Sequence, residues 1–503
     1  MYSNSNTISN FKEIRKMKRK ISFLLALLCV LSAVSCGSAT NDGAVTTAGS
    51  TDDTTTSAET EPAYEWPDVD LGGMKFSILN SSTTWGFYTT LDLEAETGDV
   101  LDDAVYRRNS LLEDKLNFEF DVTEIDIESG TIDKMKSSVM SGEDVYQCGF
   151  LRGENLSPLI SEGMFVDLNT MSGLRLDEPY WDQQIRDAAS IGEDNALYIA
   201  GTDFSLMGFG GTVCTYFNKD MLENLGGELP YQLVRDGRWT LDKLGEYAAL
   251  GANLNGDASF DFAADGNATY GIATWYSGAT AMLLGSGEQY IKRDDNNKPY
   301  LAIENDHFYS VCEKIAGITS VKGEFVEIND KANNKHYELA FADSRCLMTI
   351  AELKASNQFR DMNDSFGVLP MPKYDEAQEN YVCYRAPATI YLCVPVTNTT
   401  LTETAAVLDA ASYLSYTDVL PVYYNVTIAQ KGLRDDESIE MLGIIQSSRY
   451  FDIGRVFGWT STLYDAIEKD LLKGKSDVAS TIAKQKSKVE TNIDKTWEKL
   501  AGN

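Results

Sequence analysis

The chain has 503 residues, with 43 Lys plus Arg against 76 Asp plus Glu and a formal net charge of −33. That balance argues against nucleic acid as a partner, because releasing counterions from phosphates needs a basic face. A hydrophobic content of 43% excludes disorder of the whole chain, and a length beyond ~300 residues argues for more than one core. With His307 and His336 as the only histidines, His-based metal sites and Ser-His or Cys-His catalysis have almost no material, whereas a carboxylate enzyme stays open.

The acidity is uneven. Residues 1–36 carry Lys12, Arg15, Lys16, Lys18, Arg19 and Lys20 against Glu13, a net of +5 that leaves −38 on the rest. Lys18-Arg19-Lys20 precedes an apolar run over 21–34 that ends in Ala33-Val34-Ser35-Cys36-Gly37. A basic stretch, a short apolar run and small residues before a cleavage point mark an export signal; the run is shorter than the ~20 residues a membrane-spanning helix needs. Cys36 resembles the lipobox cysteine that receives diacylglycerol, with Ala33 where Leu is usual, and Met17 stands where such signals normally begin. Residues 37–65, rich in Thr, Ser and acid, cannot bury enough surface to order themselves. They read as a disordered tether of about 30 Å r.m.s. length. The six cysteines beyond Cys36 show no metal spacing. Cys383 and Cys393 would face each other if 381–396 formed a hairpin, and buried free thiols are the equal alternative.

Met74, Phe76 and Ile78 alternate with Lys75 and Ser77, the period-two pattern of a strand. Leu101, Val105, Leu112 and Leu116 share one helical face, and Phe118, Phe120 and Val122 alternate again. A second helix with Ile132, Met135 and Val139 stops near Gly142 and leads into a strand over 145–150. Strands joined by helical crossovers predict an α/β fold with a parallel sheet, whose ligands sit beyond the carboxyl ends of the strands. That rule points to residues 81–88 and 151–155. Further on, 213–218 reads as a strand, 219–225 as a short helix, and Thr240 as the N-cap of another with Asp242 in its positive first turn. Helices are expected to dominate to about residue 353, followed by strands over 366–369 and 390–396, a helix over 402–416 and an amphipathic helical tail over 463–500.

Several phrases in order carry a resemblance. They are Ser141-Gly142-Glu143-Asp144-Val145-Tyr146, Glu162-Gly163-Met164-Phe165-Val166-Asp167-Leu168, Tyr216-Phe217-Asn218-Lys219, Trp239-Thr240-Leu241, and Phe341-Ala342-Asp343-Ser344-Arg345-Cys346-Leu347-Met348 with the strand from Phe366 and the helix from Thr402. Together they resemble the extracellular solute-binding proteins of ABC importers, in particular the large sugar-binding family that includes maltose-binding proteins. The resemblance implies a two-lobe, type II periplasmic-binding-protein-like fold, each lobe a mixed sheet flanked by helices, joined by crossing strands. Lobe 1 would take 66–205 plus 375–425, and lobe 2 would take 206–374 plus 426–503. Ligand would be held between lobes that close by a hinge motion.

A sugar offers apolar C–H faces and hydroxyl rims, so its site combines flat aromatics with fixed polar groups. Trp85 and Tyr88 follow the first strand, Trp275 and Tyr276 follow Tyr270-Gly271-Ile272, and Trp459 follows Phe457-Gly458. The resemblance places an aromatic at the position of Trp459 in the cleft. Arg152 follows the third strand and Asp203 lies near the expected crossing, while Glu352 follows a strand over 347–350 where the resemblance puts a ligand residue. The plainer readings are aromatics closing a core edge and solvated surface charge. Asn253, Asn255, Asp257 and Asp261 place oxygen side chains at alternate positions, as in the first part of a calcium loop, although Ala258 and Ala264 stand where that loop needs Gly and Glu. An Asn/Asp/Gly turn is the alternative.

The expectation is a lipid-anchored, exported, monomeric solute-binding protein on the outer face of the cell membrane. It would capture a carbohydrate, an oligosaccharide, and deliver it to ABC permease subunits without chemistry or cofactor of its own, apart from that calcium loop. The alternatives are a secreted glycan-active hydrolase with two carboxylates and a surface glycan-binding lipoprotein.

Overall fold

A computed structural model describes residues 64–127, 130–192, 194–386, 388–428, 433 and 435–501. The export signal with Cys36, and residues 37–63 of the tether, lie outside the described residues. β1 (Met74–Ser82) alternates in its first half and then turns wholly inward, with Leu79, Asn80 and Ser81 buried. α1 (Val100–Leu116) starts where the Asp99 carboxylate accepts the N–H groups of Leu101 and Asp102, and it ends at Asn117 with φ 56°. Its buried face holds Leu101, Val105, Leu112 and Leu116, the four residues whose spacing predicts it. β2 (Phe118–Asp126) and β3 (Cys148–Arg152) both run parallel to β1, with α2 (Thr131–Ser141) between them stopped by Gly142 at φ 72°. β3 begins later than the apolar Val145 suggests, because Val145 N–H bonds back to Glu143 in an exposed turn.

The second half of the architecture is built on β4 (Val213–Asn218), α3 (Leu241–Gly251), β5 (Tyr270–Thr274), α4 (Gly278–Gly285), α5 (Asp306–Thr319), β6 (Phe325–Glu327), β7 (Cys346–Glu352) and β8 (Phe366–Leu369). The strands form a five-stranded sheet in the order β8-β4-β7-β5-β6, with β7 antiparallel to β4 and parallel to β5. Strands β5 and β6 fall in a stretch expected to be helical. β5 is buried along its whole length, so its sequence shows no alternation. Gly271 within it lies under α3, where a Cβ would come 2.2 Å from the Ala248 carbonyl oxygen.

The chain then returns through β9 (Cys383–Tyr384) to β10 (Ile390–Cys393), which completes the first sheet by pairing antiparallel to β3 in the order β10-β3-β1-β2. After α6 (Leu401–Leu414), α7 (Leu420–Ile428) and α8 (Asp436–Ser447), β11 (Arg449–Tyr450) pairs with β9. The hairpin over 381–396 therefore does not form, and Cys383 and Cys393 lie in different sheets. All six described cysteines are free and buried, and the Cys393 thiol reaches the Gly149 carbonyl at 3.5 Å. The helical tail divides into α9 (Ile453–Val456), α10 (Ser461–Leu471) and α11 (Ala479–Ala501), with Gly474 at φ 69° breaking the last two apart.

Where the chain passes between the sheets, Ala386 N–H bonds to Gly211 and Leu353 N–H to Thr212, each at 2.9 Å. Beside them Asp182 receives Arg385 at 3.1 Å and Arg449 at 3.3 Å. Burial works to raise the Asp182 carboxyl, and the two guanidiniums outweigh it and hold it low. Gly208 allows this packing, because its carbonyl accepts from Arg385 Nε at 3.2 Å and a Cβ there would overlap the guanidinium.

Candidate functional site

The carboxyl ends of β3, β5 and β7 converge between the two sheets on a pair of adjoining cavities. The smaller, about 470 Å³, is lined by Arg152 and Glu154 from the first lobe, Trp275, Tyr276 and Glu352 from the second, Tyr384 and Ala386 from the crossing, and Arg455 and Glu468 from the C-terminal helices. The larger, about 1150 Å³, shares Arg152 and Glu154 and is bounded by α2, Asn155, Trp459 and the end of α11.

Arg152 sits at the junction. Its guanidinium lies 5.2 Å from the ring centre of Trp85, whose backbone N–H is held by the Thr83 hydroxyl at 3.1 Å. Arg152 also donates to Glu154, and Glu154 in turn receives Arg455 at 3.4 Å from across the cleft. On the opposite wall Trp275 is 7% exposed and stacks on Tyr337 at 5.3 Å. The Tyr337 hydroxyl has one proton to share between Glu338 Oε1 at 3.2 Å and Glu352 Oε2 at 3.4 Å. Tyr276 keeps its ring half-exposed. Behind Glu352, Lys354 donates to Glu338 at 3.3 Å and lies 5.1 Å from the ring centre of Phe87, which belongs to the loop after β1. Burial pushes Glu338 up, but the ammonium groups of Lys354 and Lys331 outweigh it and hold it low. Burial drives His336 down to about 4, keeping it neutral.

Trp85, Arg152, Trp275, Tyr276 and Glu352 are thus brought together by the fold. Trp459 lines the larger cavity, yet it is 2% exposed, its indole N–H donates to Thr496 Oγ1 at 2.9 Å, and it stacks on Phe457. It supports that wall more than it offers a face. Three expected residues line neither cavity, and of these Trp85 meets the site only through Arg152. Tyr88 packs against the cluster of Leu101, Val105, Phe209 and Val419 and donates to Asp102 at 2.8 Å. Asp203 is buried beside Asp182, Arg385 and Arg449; burial raises its carboxyl well above the ordinary range.

The calcium reading fits the geometry poorly. Asp257 receives the backbone N–H groups of Asn267 and Ala268 at 2.7 and 2.8 Å, and Asp261 receives the Ser259 hydroxyl at 2.7 Å. N–H groups aimed at a carboxylate occupy the lone pairs a cation needs. No group of three or more His, Cys, Asp or Glu suited to a metal occurs among the described residues.

Glu154, Tyr384, Arg455 and Glu468 escaped the sequence reading. A signal existed for one group: Asp465, Glu468 and Lys469 form a polar stripe at helical spacing beside the buried Leu463, Tyr464, Ile467 and Leu471 of α10. Burial pushes Glu468 up to about 7, against the pull of the Thr280 hydroxyl, which donates to it at 2.6 Å, and of Arg455.

No protein-family model matches this sequence, and no curated protein matches it either. Solved structures do match in fold. The cyclic α-maltosyl-1,6-maltose binding protein from Arthrobacter globiformis is 11% identical with a TM-score of 0.53, over 86% of this chain and 100% of that one. The ABC substrate-binding protein Lmo0181 from Listeria monocytogenes, in complex with cycloalternan, is 13% identical with a TM-score of 0.51, over 85% of this chain and 99% of that one. The GacH receptor of Streptomyces glaucescens, studied unliganded and with acarbose, has the same TM-score of 0.51 and 13% identity, over 86% and 99%. At these identities the likeness establishes architecture: residues 66 onward have the two-lobe α/β fold of solute-binding proteins of ABC transporters.

Proposed function

We propose that this chain is an extracellular solute-binding protein of the sugar-binding type, which captures an oligosaccharide between its lobes and passes it to ABC permease subunits, with no reaction of its own. The observation that carries the reading is the meeting, at the carboxyl ends of strands from both sheets, of Trp85 and Arg152 with Trp275, Tyr276 and Glu352. Aromatic surface with a few fixed polar groups is the composition a sugar site requires. The proteins of like fold are described with cycloalternan, with acarbose and as a binder of cyclic α-maltosyl-1,6-maltose, which supports a carbohydrate solute here. Lobe 1 would span 66–205 plus 375–425, and lobe 2 would span 206–374 plus 426–503. Cys36 would carry the lipid that holds a monomer at the outer face of the cell membrane.

A thermal-shift screen over saccharides, peptides and polyamines tests the solute class, since a ligand that binds only the folded state raises its melting point. Saccharides alone should shift it; a response to peptides with none to saccharides would overturn the carbohydrate reading. Labelled palmitate should enter the wild-type protein and not a Cys36→Ala variant.

A further inference from the structure

We propose that the smaller cavity seats an ammonium group of the ligand, so that the preferred solute is an amino sugar or carries one at its end. The word sugar rests on the function proposed above; the preference for a cation rests on the cavity itself.

The lining holds the carboxylates Glu154, Glu352, Asp465 and Glu468 against the cations Arg152, Arg455 and Lys469. The two guanidiniums have partners already: Glu154 receives both, and Asp465 also receives Arg455 at 3.3 Å. Lys469 is exposed at the rim. Glu352 and Glu468, 9% and 8% exposed, remain. Glu352 shares the one Tyr337 hydroxyl proton with Glu338, and Glu468 accepts the neutral hydroxyls of Thr280 and Ser277. The nearest ammonium to Glu352 is Lys354 at 4.0 Å, which lies closer to Glu338. Glu352 thus shares Lys354 with Glu338, Glu468 has no ion pair among the described residues, and both carboxylates face one chamber.

A second observation is independent of them. Tyr384 is 2% exposed, lines the same chamber, and its hydroxyl makes no hydrogen bond among the described residues. A phenol hydroxyl that lines the chamber without a protein partner is open to bonding a ligand. The charged groups that act on it include Arg455, Glu468 and Glu154, all on the chamber lining. The half-exposed Tyr276 adds an aromatic face, which attracts a cation as well as a sugar C–H surface. Burial also holds Glu468 near neutrality at about 7, so an ammonium seated beside it would draw it into its charged form.

The test is calorimetric titration of the purified chain at about pH 6 with a glucosamine tetramer, its fully N-acetylated counterpart, maltotetraose and spermidine. The free amine should bind about 10-fold tighter than the acetylated form, the scale of one charge-assisted hydrogen bond. Glu352→Gln and Glu468→Gln keep the acceptor oxygens. Each should reduce that preference to under about twofold, whatever it does to the affinity for the acetylated form. Equal or tighter binding of the acetylated or neutral tetramer by the wild type overturns the proposal, as does an amine preference that survives both variants, or no binding of any probe. Binding of spermidine with no saccharide bound would uphold the cation site and overturn the carbohydrate reading.

Discussion

Glu154 Oε2 and Arg455 Nη2 approach to 3.4 Å, joining the loop after β3 to α9 and thereby linking the first sheet to the C-terminal helices across the cleft. Both side chains are mostly buried, at 21% and 15% exposure. Breaking such a pair leaves a poorly solvated charge. Arg455→Met should therefore lower stability by about 1–3 kcal/mol and weaken ligand binding together, read by urea unfolding and calorimetry. Wild-type values for both would mean that the pair is incidental.

Glu468 gives stability a pH dependence whose sign can be worked out. The folded chain holds its proton to about pH 7, whereas the unfolded chain releases it near 4.5. Between those values the folded state binds more protons, so stability falls as pH rises. His336 acts oppositely: burial holds it at about 4 against an ordinary 6.5, so its contribution is lost as pH falls through that window. Comparing wild type with Glu468→Gln isolates the carboxyl. From about pH 5 to about pH 8 the wild type should lose about 1–3 kcal/mol more than the variant, and parallel curves would refute the burial argument.

Trp85 and Trp239 should separate binding from packing. Trp239 is fully buried and its indole N–H donates to the Pro370 carbonyl at 3.0 Å, so Trp239→Ala should cost about 3–5 kcal/mol. Trp85 is half-buried and lies against the Arg152 guanidinium. Trp85→Ala should change stability by less than about 1 kcal/mol and weaken sugar binding at least about fivefold. The reverse order of effects would remove Trp85 from the site.

Millimolar calcium should leave the melting temperature unchanged, because Asp257 already receives two backbone N–H groups. Asp257→Ala should lower it by loosening the turn before β5. A calcium-dependent rise that disappears in this variant would restore the calcium reading.

The first sheet was legible because α1 and its flanking strands are amphipathic: burial of Leu101, Val105, Leu112 and Leu116 repeats the spacing of the sequence. β5 and β7 were harder, since a strand buried on both faces carries no alternation. Among site residues, Trp85 and Arg152 follow from the rule on carboxyl ends, while Tyr276 and Glu352 are read from a neighbouring strand and, for Glu352, from the family resemblance. Tyr88 falls under the same rule, but its side chain turns onto α1, and Asp203, expected near the crossing, is buried there beside Asp182 rather than in the cleft. Arg455 carried no such signal, because it reaches the cleft only when α9 folds back to Glu154, 301 positions away, and Glu468 meets Thr280 188 positions away.

The position of β10 also sets an order of events during synthesis. Cys393 meets Gly149 across 244 residues of chain, so β3 stays an open edge until the whole second sheet has emerged. Contacts that distant slow folding and leave an unpaired strand exposed meanwhile. The second lobe, whose five strands are contiguous from Val213 to Leu369, can form first, and the first lobe is sealed only after it.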